Sequence, residues 1–147
     1  MQGVELCEWT RGKFSVRTDP DAIDFEAVYT FLSRTPWASG LSREAMQRAL
    51  RESLCFSLFE QQRQIGLARV ITDYTTYAYL CDVYVLEPQR GQGLGSWLMR
   101  CVLEHPNIVS LKRISLLTHD AQDFYLRLGF QFGRAQHYME RLKPQAT

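Results

Sequence analysis

The stretch Pro88–Trp97, PQRGQGLGSW, constrains the fold more than any other part of this chain. Three of the nine glycines fall at positions 91, 93 and 95. The apolar run before them, Ala78–Leu86, favours a strand that is buried on both faces. The apolar residues after them recur at the spacing of one helical face: Leu94, Trp97, Leu98, Cys101 and Val102. A strand, a glycine turn, a helix and the strand expected after it predict a right-handed βαβ unit.

A glycine turn before a helix is typical of an anion-binding site. The first amides of a helix have no partner within it, and the helix dipole adds partial positive charge there. Glycines let the backbone approach an anion, and Arg90 adds a full charge. The turn lacks a Walker lysine, and neither register completes a Rossmann G-x-G-x-x-G. The pattern therefore favours a different phosphate-bearing ligand, with a purely structural turn as the alternative.

The remaining periodicity predicts one mixed α/β domain over residues 1–147. Strands are expected at Lys13–Thr18, Leu54–Glu60, Ile65–Asp73, Ala78–Leu86, Arg113–Asp120 and Gln131–Leu142. Helices are expected after the capping residues Asp19 and Ser42, from Leu94 to His105, and in a short segment that ends at Gly129. This order is not that of a doubly wound parallel sheet.

Composition and cysteine spacing limit the classes of binding partner expected for this chain. A net charge of +1 argues against a dedicated nucleic-acid binder. Because no signal-peptide pattern and no apolar run of membrane-spanning length is seen, we expect a cytoplasmic protein without a membrane partner. The spacing of Cys7, Cys55, Cys81 and Cys101 matches no zinc site, so no metal is expected. Free thiols are favoured over two disulfides.

The string VYVLEPQRGQGLG resembles the acyl-CoA-binding signature of the GNAT superfamily of N-acetyltransferases. That signature is an Arg or Gln, two residues, Gly, one residue, then Gly or Ala, and Arg90, Gly93 and Gly95 match it. A second landmark of the family is matched by Ala121, Tyr125, Gly129 and Phe130. The resemblance covers nearly the whole chain. It implies a mixed, mostly antiparallel sheet with helices on both faces, whose fourth and fifth strands splay apart.

The resemblance also implies where acetyl-CoA binds. It would lie between the predicted strands YLCDVYV and RISLLT, with the pantetheine arm bonded to backbone groups of Val83 and Val85. A backbone N–H near Val83 or Tyr84 would stabilise the oxyanion. The pyrophosphate would be held by amides of the turn, within Arg90, Gly91, Gln92, Gly93, Leu94, Gly95 and Ser96. The Arg90 side chain either reaches a phosphate or remains in solvent.

Three residues are candidates for the chemistry. Tyr125 matches the tyrosine that serves the leaving sulfur in relatives, although it could be a core tyrosine. Asp82, in an apolar strand, is the candidate base, acting directly or through a water, and a structural aspartate is the alternative. His119 follows the fifth predicted strand, near the expected position of the sulfur. It is a candidate for the substrate site, and a histidine without a functional role is the alternative.

The acceptor amine is expected near aromatic residues outside the signature. Trp37, Tyr74, Tyr77 and Tyr79 would line its pocket, or belong to the core or a dimer surface. The resemblance implies an N-acetyltransferase acting on a small-molecule primary amine by direct attack. The alternatives are a protein or peptide N-acetyltransferase and a non-catalytic acyl-CoA-binding module. Relatives are often homodimers, and the sequence leaves the oligomeric state open.

Overall fold

One six-stranded sheet organises the molecule. We describe it from a computed structural model, in which residues 4–144 are described. The strands lie in chain order: β1 (Glu8–Arg11), β2 (Phe14–Arg17), β3 (Leu54–Glu60), β4 (Arg63–Thr72), β5 (Ala78–Val85) and β6 (Ile114–Ser115). Strands β1 to β5 pair antiparallel with their neighbours, and β6 pairs parallel with β5. The expected mixed, mostly antiparallel sheet is confirmed.

Helices cover both faces of this sheet. They are α1 (Phe25–Leu32), α2 (Arg43–Arg51), α3 (Leu94–Glu104), α4 (Pro106–Val109) and α5 (Gln122–Arg127). One core lies between α1, α2 and the sheet, and it includes Leu67 and Tyr84. The other core lies under α3 and includes Leu80 and Leu98. No helix within residues 4–144 is long and apolar enough to cross a bilayer.

The predicted helix starts are correct at Ser42 and shifted at Asp19. The Ser42 hydroxyl accepts from the Ala45 amide at 3.1 Å and caps α2. Asp19 caps only a 3-10 turn, Pro20–Ala22. The cap of α1 is Asp24, whose carboxylate accepts from the Ala27 amide at 3.2 Å. Asp24 and Asp19 are both good N-cap residues, so the local sequence signal did not separate them.

Strands β5 and β6 are joined at one end only. Ala78 pairs with Ile114 and Tyr79 with Ser115, and the ladder stops there. Beyond this point the two strands separate, as the family resemblance implied. The predicted strand Arg113–Asp120 is therefore short, because its later residues have no neighbour on β5 to pair with. The resulting gap lies next to the glycine turn that follows β5.

One strand was missed and one strand prediction was wrong. Strand β1, which forms a hairpin with β2, was not predicted. The segment Gln131–Leu142 is not a strand, and its only regular element is a 3-10 turn at Ala135–His137. Its apolar side chains are exposed, Phe132 by 74% and Met139 by 89%, so no buried face stabilises a strand there. The four cysteines are free thiols, as expected.

Candidate active site

The glycine turn presents backbone amides to open space. Gly91 and Gly93 have φ of +85° and +77°, which only glycine adopts readily. Gly93 caps α3 without a side-chain bond, and the first helical bond runs from the Trp97 amide to the Gly93 carbonyl at 3.0 Å. The amides of residues 94–96 thus have no helical partner. A Cβ at Gly91 or Gly93 would meet no atom within 4 Å, so open space adjoins the turn at both positions.

Arg90 is exposed, and its side chain bonds back to the preceding strand. Its Nε donates to the Val85 carbonyl at 2.8 Å, at the end of β5. Val85 is one of the residues expected to bond the pantetheine arm. A carbonyl oxygen accepts two hydrogen bonds, so the Arg90 contact leaves one position on it.

A β-bulge in β5 reorients Asp82. Leu67 pairs with Tyr84 and Arg69 with Cys81, so Asp82 and Val83 together stand opposite one residue of β4. Asp82 has a φ of +52°, in the left-handed region where Asp occurs more often than most residues. A bulge leaves a residue unpaired and turns a side chain. Here it turns Asp82 toward the face covered by α1 and α2.

Asp82 is buried and held by two donors. The indole Nε1 of Trp37 donates to one carboxylate oxygen at 2.8 Å, and Arg69 Nε donates to the other at 2.7 Å. Arg69 also donates to the Ser53 hydroxyl at 3.0 Å. Burial lowers the pKa of Arg69, but the bond to Asp82 and nearby negative charge outweigh it, so the pKa is raised. Arg69 therefore remains a cation.

Sequence reasoning missed Arg69. The available signal was a single charged side chain inside the apolar run IGLARVI on β4. Two charges on neighbouring buried strands are expected to pair, since an isolated buried charge is costly. The register that brings Arg69 and Asp82 together depends on the bulge, which the local sequence did not reveal.

A cavity of about 280 Å³ lies against this ion pair. Its wall is formed by Asp82, Arg69, Trp37 and the loop that joins α1 to α2. The volume is near the lower end of small-molecule sites, about 300–1,000 Å³. The structure thus brings the predicted residues Trp37 and Asp82 together in one small pocket.

Tyr125 lies on α5, in contact with two aromatic rings. Its ring meets Phe124 and Phe130 edge to face, with centroids 4.9 and 5.6 Å away. Burial raises its pKa, so the phenol keeps its proton. Within residues 4–144 its hydroxyl has no hydrogen-bond partner, which leaves it free to donate. Tyr125 lines a second, open cavity of about 1300 Å³ beside β6, not the cavity that contains Asp82.

The other residues predicted for the acceptor site lie in three different places. Tyr77 is 40% exposed and lines the second cavity together with Tyr79. Tyr74 packs against the core under α3. His119 is exposed in the bend between β6 and α5 and lines neither cavity. The role of His119 stays a prediction.

Comparison with known proteins identifies the family. Residues 18–130 match the sequence profile of the Acetyltransferase (GNAT) family. The chain belongs to the GNAT acetyltransferase family. This GNAT chain is thus an acyltransferase that uses acetyl-CoA, consistent with the glycine turn and the splayed strands.

Similar proteins support the same assignment. A solved GNAT structure from Xanthomonas campestris, described as a "putative acetyltransferase", is 43% identical with a TM-score of 0.85, covering 89% of this chain and 94% of that one. "Putative acetyltransferase FG08082" from Gibberella zeae is 35% identical, over 80% of this chain and 78% of its own length. A Clostridium acetobutylicum protein described as a "predicted acetyltransferase" was solved with acetyl-CoA. Its structure has a TM-score of 0.66 at 15% identity, and the match covers 88% of this chain and 96% of that one. That last likeness shows the shared fold.

Proposed function

We propose that this GNAT chain acetylates the primary amine of a small molecule by direct attack of the amine on acetyl-CoA. The observation that carries the proposal is the small cavity against Asp82, Arg69 and Trp37, next to the bulge in β5. Its size suits a small acceptor. A carboxylate at its wall supplies the polar group that an amine requires.

The cosubstrate would be held by backbone groups. The partnerless amides of residues 94–96 and the open space at Gly91 and Gly93 fit the diphosphate. The gap between β5 and β6 leaves room for the pantetheine arm beside Val83 and Val85. When bound, acetyl-CoA supplies the thioester carbon that the amine attacks. A backbone N–H freed at the bulge, near Val83 or Tyr84, would receive the developing oxyanion.

Asp82 would take part on the amine side. Each of its oxygens already accepts one hydrogen bond, and each has room for a second. The amine must lose a proton as its nitrogen bonds to the carbonyl carbon. Asp82 would receive that proton directly or through a water, while Arg69 balances the buried charge.

Tyr125 would act on the sulfur side as the carbon–sulfur bond breaks. An ordinary phenol has a pKa near ~10 and a thiol near ~8.5. Burial raises the Tyr125 pKa further, so complete proton transfer to the thiolate is unfavourable. We therefore assign Tyr125 the role of hydrogen-bond donor to the thiolate, with solvent completing the protonation.

The test is release of free CoA across a panel of small primary amines and of peptides with free N-termini or lysines. Acetyl-CoA should raise the melting temperature, which measures cosubstrate binding separately. Turnover of small amines, unchanged by a metal chelator, is the expected result. Turnover of peptides only would establish the protein-acetyltransferase alternative. Cosubstrate binding without turnover of any acceptor would establish the non-catalytic module.

A further inference from the structure

The second cavity, beside β6, carries an excess of positive charge. Four basic residues line it, namely Lys112, Arg113, Arg134 and His137, and no Asp or Glu lines it. Within residues 4–144, none of the four forms a salt bridge. The nearby carboxylate of Glu140 accepts from the Tyr138 hydroxyl at 2.7 Å and lies outside the lining. The cavity therefore has the positively charged side chains of Lys112, Arg113 and Arg134 without matching anions.

Arg113 lies at the opposite end of β5 from the glycine turn. The Ala78 amide donates to the Arg113 carbonyl at 3.2 Å, which fixes Arg113 at the start of β5. Val85, which precedes the turn, is seven residues further on, roughly 23 Å along an extended strand. Arg113 is thus too remote to serve a diphosphate at the turn.

Tyrosines line the cationic cavity, and one of them lies on the face of the sheet that carries the Arg69–Asp82 ion pair. Tyr77, Tyr79 and Tyr138 all line the cationic cavity. Tyr79 stands two residues before Cys81, the ladder partner of Arg69, and so lies on the same face of the sheet as Arg69. Asp82 is four residues from Ala78, which corresponds to about 13 Å along the strand. A small molecule of about this length would match the distance from Asp82 past Tyr79 to Arg113.

We propose that the acceptor is a primary amine that carries a carboxylate or phosphate, and that Arg113 and Arg134 bind this anionic group at the start of β5. The inference rests on the proposed function and specifies its substrate class. The amine lies at Asp82, and the body of the molecule packs on Tyr77 and Tyr79. The distance from Ala78 to Asp82 along β5, about 13 Å, sets the scale of the separation between the nitrogen and the anion.

The test compares matched acceptors that differ only in charge. The pairs are 4-(2-aminoethyl)benzoate with its primary amide, and tyramine phosphate with tyramine. The rate of CoA release gives kcat/KM for each. We expect the anionic member of each pair to be preferred by at least about tenfold, mainly through KM, with the preference falling as salt concentration rises. Equal rates, or a preference for the neutral members, would overturn the proposal.

Variants then locate the anion site. Arg113→Gln and Arg134→Gln should each reduce the preference several-fold, without changing the rate with neutral amines or the Kd of acetyl-CoA. Arg141→Gln, an exposed arginine outside the cavity, is the matched control and should keep the preference. Weaker acetyl-CoA binding in the Arg113 and Arg134 variants would assign these cations to the cosubstrate instead, against the proposal.

Direct binding separates this inference from the proposed function. Calorimetry with tyramine phosphate, on protein saturated with CoA, measures the anion site without turnover. Binding that Arg134→Gln abolishes, with no CoA release from any amine, would support the anion site and contradict the acetyltransferase role. Turnover of neutral amines without binding of tyramine phosphate would support the acetyltransferase role and overturn the anion site.

Discussion

Arg69 and Asp82 form a buried ion pair at 2.7 Å although they are not partners in the β4–β5 ladder. The partner of Arg69 is Cys81, and the bulge after it places Asp82 on the same side of the sheet as Arg69. The two side chains are only 17% and 6% exposed. One backbone irregularity therefore determines both the geometry of the proposed acceptor site and a charge pair inside the protein.

We predict that Asp82→Asn destabilises the protein strongly and lowers turnover. The change leaves the Arg69 cation largely buried without its counter-charge, which typically costs roughly 3–5 kcal/mol. Urea denaturation measures the loss of stability.

The double variant of Asp82→Asn with Arg69→Gln should recover part of the stability, because no charge is then left unpaired. It should remain inactive. The exposed pair of Arg43 and Glu26 is the control, and Arg43→Gln should leave the midpoint unchanged. Full activity in Asp82→Asn would remove Asp82 from the mechanism.

We predict that Tyr125→Phe lowers kcat and leaves cosubstrate binding almost intact. The ring packing against Phe124 and Phe130 is retained, and only the hydroxyl is lost. A positioned proton donor contributes about 10²- to 10⁴-fold, and a hydrogen-bond donor alone less, so we expect a loss of about tenfold to hundredfold. Steady-state kinetics and calorimetry with acetyl-CoA give the two quantities. Tyr29→Phe, a tyrosine of α1 outside both cavities, is the control. A parallel collapse of acetyl-CoA affinity would make Tyr125 a binding residue.

We predict that Gly93→Ala weakens both stability and CoA binding. The residue caps α3 at a φ of +77°, which costs a residue with a Cβ about 1–2 kcal/mol. The new methyl group also projects into the space that a diphosphate would occupy, so we expect the Kd for CoA to rise at least about tenfold. Gly133→Ala is a matched control, since Gly133 has no positive φ and its Cβ would also meet no atom. Equal CoA affinity in the two variants would place the diphosphate elsewhere.

We predict a loss of stability below neutral pH that depends on His105. This histidine is fully buried at the end of α3: its Nδ1 accepts from the Asn107 amide at 3.0 Å, and its Nε2 lies 3.1 Å from the Glu5 carbonyl. Burial lowers its pKa in the folded state. The unfolded chain therefore takes up the proton first, near pH ~6.5, and stability falls as the pH drops from there toward the folded-state pKa.

Urea unfolding at pH 8 and pH 5 tests this. His105→Asn should be less stable at both pH values but should show a smaller difference between them. His119→Asn, at an exposed site, should keep the wild-type difference. An unchanged difference in His105→Asn would assign the acid sensitivity to other groups.

The sequence predicted those elements whose signals are local. The strand Leu54–Glu60, the cap at Ser42 and the glycine turn before α3 agree with the structure, since each depends on neighbours in the chain. The bulge at Asp82 and the ion pair with Arg69 were not predicted, because they depend on the register between two strands. The predicted strand Gln131–Leu142 was wrong for a related reason: alternation in a sequence does not show whether the apolar side chains find a buried face, and here they are exposed.

The single-ended junction between β5 and β6 has a consequence for how the molecule holds together. Five strands form a continuous antiparallel array, whereas the described part of the chain after Leu111 has two ladder pairs with the sheet and otherwise rests on side-chain packing, such as that of Phe124 and Leu128 against the core under α3. A molecule lying in the gap would contact both parts at once. We therefore expect acetyl-CoA to act as a non-covalent cross-link, and each departure of CoA to leave the two walls of the gap joined by fewer contacts.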